Sequence, residues 1–456
     1  MIFNMYSDSG IGVEVVNGMS APTNPDENTV WIKTALTIQD VYIAASAPTT
    51  STEGDVWINT SGTAVCTITL SNDPSTTVNI CSLNIYTGGT WTDVGGGVQT
   101  SSGWVDMTYK VYGISRSIDT DSDSWTRTDN AVGMTATASV GTVAGSSSFD
   151  SCYPWNGIVR ETLSTGDVMV KIPKFWYKRY RENNVEYIKI ADSDVDGFTL
   201  HPAFNHAGTA EDYVYVGAYM TSSNNKSVSG GTPTTGTRAT MRTNAKAKGT
   251  GWGLMDIAAM SAVQMLILVE FASNDVQWDI GYGNCKPTTG ISGGALLNTG
   301  TCDSVPNLTG QVSSDKASDV IWRGIEGFWG NQGESVDGIN WYNGTYYICN
   351  NPANYADDTS TNYTALSYTG STSWDFSYIT KIGLDTGNNA HVMAPEEAGS
   401  GSSDSYFTDD VCSGTGWKTV WRRGLCADYY TIGLFNLMMS TDSSYKSLGS
   451  RLMYIP

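Results

Sequence analysis

Three acidic residues at alternate positions, followed by a glycine, form the closest match in this chain to a metal-binding loop. They are Asp192, Asp194 and Asp196, with Gly197 after them. Calcium loops of the EF-hand type start in this way, and they need a bidentate Glu at the twelfth position. That position is Ala203 here, and no helical pattern flanks the segment. We therefore interpret it as a polar turn and expect no metal.

Histidine, the residue most often used for acid–base chemistry, occurs only as His201, His206 and His391. His201 and His206 could share a metal, but no further ligand follows at a suitable spacing. The segment from His201 to Phe204 predicts a packed turn. The chain also has none of the short motifs of zinc peptidases, serine hydrolases or nucleotide-binding loops. We expect no cofactor and no enzymatic activity.

The eight cysteines include no pair at the Cys-x-x-Cys spacing of zinc sites. Two of them, Cys66 and Cys81, fall in predicted strands over 64–70 and 77–83, on either side of a turn at 72–75. Folding about that turn places the two cysteines opposite each other, within the distance of a disulfide. Either a disulfide or a reduced pair fits, and a cytoplasmic site of synthesis favours the reduced pair.

Composition narrows the classes of partner. The chain has 456 residues, a net charge of −20 and only 15% charged residues. Nucleic-acid binding needs clustered Lys and Arg, and the densest basic stretch, 171–181, predicts a strand with one solvated face. No apolar run reaches the roughly 18 residues of a membrane span, and the N-terminus lacks a signal-peptide pattern. We expect no nucleic acid, no membrane insertion and folding in a cytoplasm.

An internal repeat marks the N-terminal part. Residues 21–34 match residues 47–60 at eight of 14 positions. Each copy predicts a proline turn, a polar turn and a Val-Trp-Ile strand, and units this short must pair or stack to bury a face. A Gly/Ser-rich stretch over 95–103 then predicts a linker. The expected domains are therefore 1–100, built from small β modules, and 104–456.

The second part predicts an α+β, β-rich domain. Residues 168–179 read as a strand whose Pro173 indicates an edge or a bulge, and 186–190 and 213–219 as further strands. One helix is predicted over 256–272, with Asp256 as its N-cap. Four apolar residues recur on one face of this helix and predict a core stripe: Met260, Val263, Ile267 and Phe271.

The last 36 residues, 421–456, alternate two kinds of residue. The first kind, the frame residues, predicts a rigid support: Trp421, Arg422, Gly424, Gly433, Leu434, Phe435, Gly449, Arg451 and Leu452. Between them lie short runs of Tyr, Asp, Asn, Ser and Thr, which are typical of recognition surfaces. We predict that the contact residues are Asp428, Tyr429, Tyr430, Thr431, Asn436, Thr441, Asp442, Tyr445 and Lys446. An alternative holds for 448–456, whose apolar residues predict a final core strand.

Several upstream segments, in this order, support a family resemblance. They are Val111-Tyr-Gly-Ile114, Trp125-Thr-Arg127, Tyr153-Pro-Trp-Asn-Gly157, 168–175, His201-Pro-Ala-Phe204, 214–219, 322–331 and Val336-Asp-Gly338. Together with the frame residues, they resemble phage tail receptor-binding proteins with a C-type-lectin fold. These are the variable proteins diversified by diversity-generating retroelements, of the major tropism determinant type.

The resemblance implies an embellished C-type-lectin domain over 104–456 and tail attachment through 1–100. It further implies a place in the virion, a homotrimer, contacts with other tail proteins, and a host cell-surface protein or glycan as ligand. The calcium-dependent route of sugar-binding lectins is not expected, because neither of their loop triplets occurs.

Two alternatives stay open. A structural tail or baseplate protein could use the fold for packing alone. Formylglycine-generating oxidases are similar in architecture and at Trp329-Gly-Asn331, but they need a pair of nearby C-terminal cysteines. Here Cys412 and Cys426 are 14 residues apart, which does not match, so the oxidase is the weaker alternative.

Overall fold

The computed structural model divides the chain into two units, Met1–Lys110 and Val111–Pro456. In the first it describes the backbone of the strands. In the second it describes all residues except 196, 285–295, 314–317, 403, 426–430 and 442–447, and not the side chains of Arg423 and Leu425. The division between the units thus falls after Lys110, beyond the linker expected over 95–103.

The first unit consists of strands in three sheets. The strands are β1 (Ile2–Asn4), β2 (Glu14–Asn17), β3 (Thr29–Ile32), β4 (Val41–Ala44), β5 (Val56–Asn59), β6 (Cys66–Leu70), β7 (Asp73–Ile80), β8 (Ser82–Thr87), β9 (Thr90–Asp93), β10 (Gly96–Thr100) and β11 (Gly103–Asp106). Their order is β1-β2-β3-β10-β11 in one sheet, β4-β5-β8-β9 in another and β6-β7 in the third. Both Val-Trp-Ile segments of the repeat form strands, β3 and β5, as predicted. Each pairs in parallel with the preceding strand and antiparallel with a later one.

Two expectations for the first unit are wrong. The stretch 95–103 is not a linker, because it forms β10 and leads into β11, with Gln99 opposite Trp104. Sheet pairing here overrides the local preference of a Gly-rich segment. In the β6-β7 hairpin, Cys66 lies opposite Ile80 and not opposite Cys81. The hairpin also has a register irregularity between Thr69 and Leu70. A one-residue shift moves a side chain to the other face of the strand. Cys81 itself lies outside the described residues.

The second unit is α+β and β-rich, with three α-helices among its described residues: α1 (Arg238–Lys246), α2 (Ile257–Phe271) and α3 (Val276–Asp279). Its strands up to α2 are β12 (Val111–Ser117), β13 (Thr126–Asp129), β14 (Ala136–Thr137), β15 (Ser139–Val140), β16 (Ser146–Ser147), β17 (Val159–Thr162), β18 (Val168–Pro173), β19 (Trp176–Glu182), β20 (Val185–Ala191), β21 (Thr199–Leu200), β22 (Asn205–His206), β23 (Thr209–Ala210), β24 (Tyr213–Met220) and β25 (Trp252–Leu254). The strands predicted over 186–190 and 213–219 are confirmed as β20 and β24.

After α3 the described chain consists of strands and irregular segments, as the sequence predicted, with two short 3₁₀-helices, Pro306–Leu308 and Pro352–Asn354. These strands are β26 (Gly310–Gln311), β27 (Val320–Trp322), β28 (Ile325–Glu326), β29 (Gln332–Tyr342), β30 (Thr345–Ile348), β31 (Thr364–Thr369), β32 (Ser377–Ile382), β33 (Pro395–Ala398), β34 (Asp410–Cys412), β35 (Trp417–Leu425), β36 (Leu437–Ser440), β37 (Leu448–Gly449) and β38 (Arg451–Tyr454).

Three sheets carry the second unit. The largest has the order β31-β30-β29-β35-β36-β34-β32-β33, with β37 paired to β29. The second has the order β17-β18-β24-β38-β25 and the third β13-β12-β20-β19-β21. The strand closest to the C-terminus, β38, thus lies between β24 and β25, so residues 451–454 are an interior part of a sheet. The smaller sheets are β15-β26-β27-β28, β14-β16 and β22-β23.

Helix α2 is the centre of the core. Asp256 is its N-cap, as predicted, and accepts a hydrogen bond from the Ala259 amide at 2.8 Å. The predicted core stripe is confirmed, because Met260, Val263 and Ile267 are fully buried and Phe271 packs against the core, but burial extends to all sides of the helix from Ile257 to Glu270. Its polar residues have partners in the interior: Gln264 donates to the Leu434 carbonyl at 2.7 Å.

The segment 168–179 forms two strands in two sheets instead of one. β18 ends at Pro173, which lacks the amide hydrogen needed to continue a ladder, and β19 begins at Trp176. β18 lies between β17 and β24, so Pro173 marks the end of an interior strand and not the edge strand that was expected. None of the helices in the described part of the chain has the length and apolar character to span a membrane.

Candidate functional site

Apart from Asn436, the predicted contact residues fall in two runs, 428–431 and 441–446, called the contact segments below. These follow β35 and β36 of the largest sheet. β35 pairs with both β29 and β36, and β37 pairs with β29. Residues 426–430 follow β35, while 442–447 lie between β36 and β37. The first segment therefore begins where β35 ends, and the second lies between two strands of the same sheet.

All frame residues are buried, as the sequence predicted. Among the six frame residues other than glycine, Trp421 is the least covered at 4% exposed, and Leu434, Arg451 and Leu452 are fully enclosed. The three glycines among them are buried as well. The final core strand predicted over 448–456 is also confirmed by β38 and by the buried Leu448 and Leu452.

The two arginines of the frame meet at one buried carboxylate. Arg451 donates to Glu334 Oε1 through Nη2 at 2.7 Å and through Nε at 3.1 Å, and Arg422 Nη2 donates to Oε2. Arg451 also donates to the Gly217 carbonyl at 2.8 Å. The Arg422 guanidinium stacks on the ring of Phe328, 3.8 Å from its centroid, and burial lowers the pKa of Arg422. This ion cluster links β29, β35 and β38.

The frame glycines are required by close packing. A Cβ at Gly424 would lie 2.2 Å from the carbonyl oxygen of Gln332, and at Gly433 it would lie 2.3 Å from the side chain of Gln277. At Gly449 it would meet Gln332 Oε1 at 2.2 Å. Real Cβ atoms essentially never come this close to another atom. A larger residue would therefore collide with the backbone at Gly424, and at Gly433 or Gly449 it would have to displace the side chain of Gln277 or Gln332.

Of the predicted contact residues, two are described and reach the surface. Thr431 is partly buried, and Thr441 is exposed with its hydroxyl accepting from Lys418 Nζ at 2.8 Å. The remaining predicted contacts, apart from Asn436, lie outside the described residues: Asp428, Tyr429, Tyr430, Asp442, Tyr445 and Lys446. Their role stays a prediction.

Asn436 is a correction. It was expected on the exposed surface but is 1% exposed. Its Nδ2 donates to the Thr431 carbonyl at 3.1 Å, to the Asp410 carbonyl at 2.8 Å and to the Asp410 carboxylate. Asn436 thus closes the turn 431–436 from the inside, and it cannot contact a receptor directly.

Sequence reasoning missed a second support for this turn, the buried pair Asp409 and Asp410. Asp409 Oδ2 accepts from the Phe435 amide at 2.7 Å, and Oδ1 accepts from Gln277 Nε2 at 3.1 Å. Burial raises the pKa of the Asp409 carboxyl well above its usual range. The sequence signal for this pair was two adjacent acidic residues at the start of a short strand, β34.

The earlier metal candidates do not come together. Among the described residues, no group of three or more His, Cys, Asp or Glu is arranged to hold a metal ion. In the acidic segment, Asp192 is partly buried and Asp194 is exposed, while Asp196 lies outside the description. Of the two cysteines considered for an oxidase, Cys412 is partly buried in β34 and Cys426 is not described.

The histidines are structural. His201 forms the predicted packed turn, with Nδ1 accepting from the Ala203 amide at 3.2 Å. Its ring lies against His391, with centroids 5.5 Å apart, whereas His206 lies beside Asp256, with Nε2 3.5 Å from Oδ2. Burial lowers the pKa of His391 to about 3 and that of His201 well below its usual value. Both rings are therefore neutral at physiological pH.

No protein-family model and no curated protein matches this chain.

Proposed function

We propose that this chain is a phage tail adhesin, which binds a host cell-surface protein or glycan through the contact segments held by the frame residues. The observation that carries the proposal is the burial of every frame residue around the Arg422–Glu334–Arg451 cluster. The frame residues are buried and closely packed, and polar and aromatic runs lie between them in the sequence. Such an arrangement allows the side chains of the runs to vary without a change in the fold.

The described turn 431–436 supports this division. Its inner side is fixed by Asn436, Asp409 and Asp410, while Thr431 reaches the surface. The adjoining run contains Tyr429 and Tyr430, and the second contains Tyr445. Tyr combines a large contact area with a small loss of conformational entropy, and neighbouring Ser, Asn and Asp provide adaptable hydrogen bonds.

The finer parts of the proposal follow the family resemblance. The second unit is a C-type-lectin domain, and the first attaches it to other tail proteins in the virion. The assembly is a homotrimer that needs no cofactor and has no enzymatic activity. The β-rich α+β architecture of the second unit is compatible with this fold, and the strands of the first are compatible with small attachment modules.

The alternative is a structural tail or baseplate protein, and sequencing separates the two functions. We expect a reverse-transcriptase gene near the coding sequence, together with a near-copy of its last 36 codons that differs mainly at adenines. Sequencing codons 421–456 across a phage population should show changes at 428–431 and 441–446 and unchanged frame codons. Variation that falls equally on frame and contact codons would contradict the adhesin and favour the structural protein.

A further inference from the structure

A polar cleft of about 640 Å³ opens on the second unit, away from the predicted contact segments in sequence. Four pieces of chain form it: 205–208, which is β22 with the turn after it, the end of β30 with the residues after it, 362–367 at the start of β31, and the loop 385–389. β30 and β31 are the outer two strands at one end of the largest sheet. None of the residues that line the cleft belongs to 421–456, the part of the chain that carries the proposed adhesin function.

Carboxamides dominate the lining. Six asparagines contribute to it: Asn205, Asn350, Asn351, Asn362, Asn388 and Asn389. Hydroxyl groups come from Thr364, Ser367 and Thr386, and one carboxylate comes from Asp385. Among the described lining residues none is Lys, Arg or His, so the wall offers no cation to a phosphate, sulfate or carboxylate. A carboxamide both donates and accepts hydrogen bonds, which matches a ligand rich in hydroxyl groups.

The floor of the cleft is held in place by Asp385, which is 6% exposed. Its Oδ1 accepts from the Ser367 amide at 2.9 Å, and its Oδ2 accepts from the Asn389 amide at 3.0 Å. The Ser367 hydroxyl in turn accepts from the Thr386 amide at 2.9 Å. These bonds tie the loop 385–389 to β31, so the polar groups are positioned before any ligand arrives.

One buried polar atom in the cleft lacks a partner. Asn350 donates through Nδ2 to Asn389 Oδ1 at 3.1 Å, and Asn389 is 5% exposed. Asn350 Oδ1 is inaccessible to water and accepts no hydrogen bond from the described residues. A buried acceptor without a donor is unfavourable, and a rotation of the Asn350 side chain into the cleft would let a ligand hydroxyl supply that donor.

We propose that this cleft binds a neutral saccharide. Hydroxyl groups of the sugar would donate to Asn350 Oδ1 and Asp385, and the remaining carboxamides would donate to ring and hydroxyl oxygens. An acidic glycan is disfavoured by Asp385 and by the lack of basic lining residues. An extended peptide also offers donors and acceptors, and it is the competing ligand that the experiment must exclude.

The experiment uses the full chain and saturation-transfer NMR. The probes are neutral trisaccharides of glucose, galactose, mannose and rhamnose, an acidic sialylated trisaccharide, and an extended Gly-Ser peptide. We expect at least one neutral trisaccharide to bind, and the Asn350→Ala and Asn388→Ala variants to weaken that binding by about tenfold or more. Asn388 is exposed, so its replacement tests the site without a risk to folding. Asn244→Ala, an exposed asparagine on α1 outside the cleft, is the matched control and should bind normally.

Three results would overturn the proposal. They are no binding of any neutral trisaccharide at millimolar concentration, equal binding by wild type and Asn388→Ala, and binding of the acidic sugar or the peptide alone. None of these outcomes bears on the adhesin proposal, because the variants leave the frame residues and contact segments unchanged.

Discussion

Replacing Glu334 by Gln tests whether the frame residues support the fold as the structure indicates. Glu334 is 1% exposed and accepts hydrogen bonds from two guanidinium groups, those of Arg422 and Arg451. The substitution keeps the shape of the side chain but removes its charge. Arg422 and Arg451 would then lose the carboxylate with which both of them pair at the centre of β29, β35 and β38.

The expected cost follows from the burial of the partners. Breaking a buried ion pair by removing one partner destabilises a protein by about 3–5 kcal/mol, because the other charge stays uncompensated. Arg451 would keep its hydrogen bonds to the carbonyl groups of Gly217 and Glu326, which limits its share. Arg422 has two nitrogens, Nε and Nη1, without a partner among the described residues. We therefore expect a loss of about 3 kcal/mol or more.

The assay is urea unfolding at pH 7, followed by tryptophan fluorescence. The control is Glu397→Gln, whose side chain is 62% exposed and pairs with Lys381 at 3.0 Å. Exposed ion pairs contribute roughly 0–1 kcal/mol, so this variant should unfold close to wild type. A Glu334→Gln protein within about 1 kcal/mol of wild type, or one no less stable than the control, would show that the Glu334 charge does not stabilise the two buried arginines.

Three further predictions concern the same unit. Gly424→Ala should lower the free energy of unfolding by about 2 kcal/mol or more through overpacking, because its Cβ would lie 2.2 Å from the Gln332 carbonyl; Gly253→Ala, with nothing within 4 Å, is the control and should unfold near wild type. Asn436→Ala should lower the free energy of unfolding in urea by about 1–3 kcal/mol, since it leaves buried acceptors of the turn unpaired. An unchanged free energy of unfolding would contradict the buried position of Asn436. Burial lowers the pKa of His391 to about 3, below an unfolded value of about 6.5. As the pH falls below that value the unfolded chain binds a proton that the folded chain refuses, so stability falls by up to about 1.4 kcal/mol per pH unit. His391→Gln should therefore lose stability less steeply than wild type between about pH 6.5 and pH 4, and equal slopes would contradict this.

The parts of the fold that the sequence predicted are those set by local chemistry. Asp256 before an apolar run specifies the start of α2, and the spaced Trp, Gly and Arg residues of 421–456 indicated burial correctly. In contrast, the burial of Asn436 depends on Asp410, 26 residues away, and no local pattern distinguishes it from a surface asparagine. The all-round burial of α2 likewise follows from strands distant in sequence.

The same distinction explains the errors in the first unit and the missed cleft. A Gly-rich segment was interpreted as a linker, although its pairing with β3 and β11 makes it a strand. The six asparagines of the cleft are spread from residue 205 to residue 389, and only folding brings them together. Single asparagines in loops carry no signal of a shared site.

The contact segments are proposed to bind the host receptor and the frame residues to hold the fold, and one paired measurement tests this division. Tyr429, Tyr430 and Tyr445 are replaced together by Ala, and Phe435, which is 1% exposed, is replaced by Ala in a second protein. For both we measure the melting temperature and the binding of folded protein to cells of the strain that the phage infects. Interface tyrosines are often worth about 2 kcal/mol each, so the triple variant should melt near wild type and lose nearly all binding. The Phe435→Ala protein should melt well below wild type, yet the fraction that is folded should still bind. A triple variant that unfolds, but binds normally per folded molecule, would show that the tyrosines belong to the core and would contradict the account.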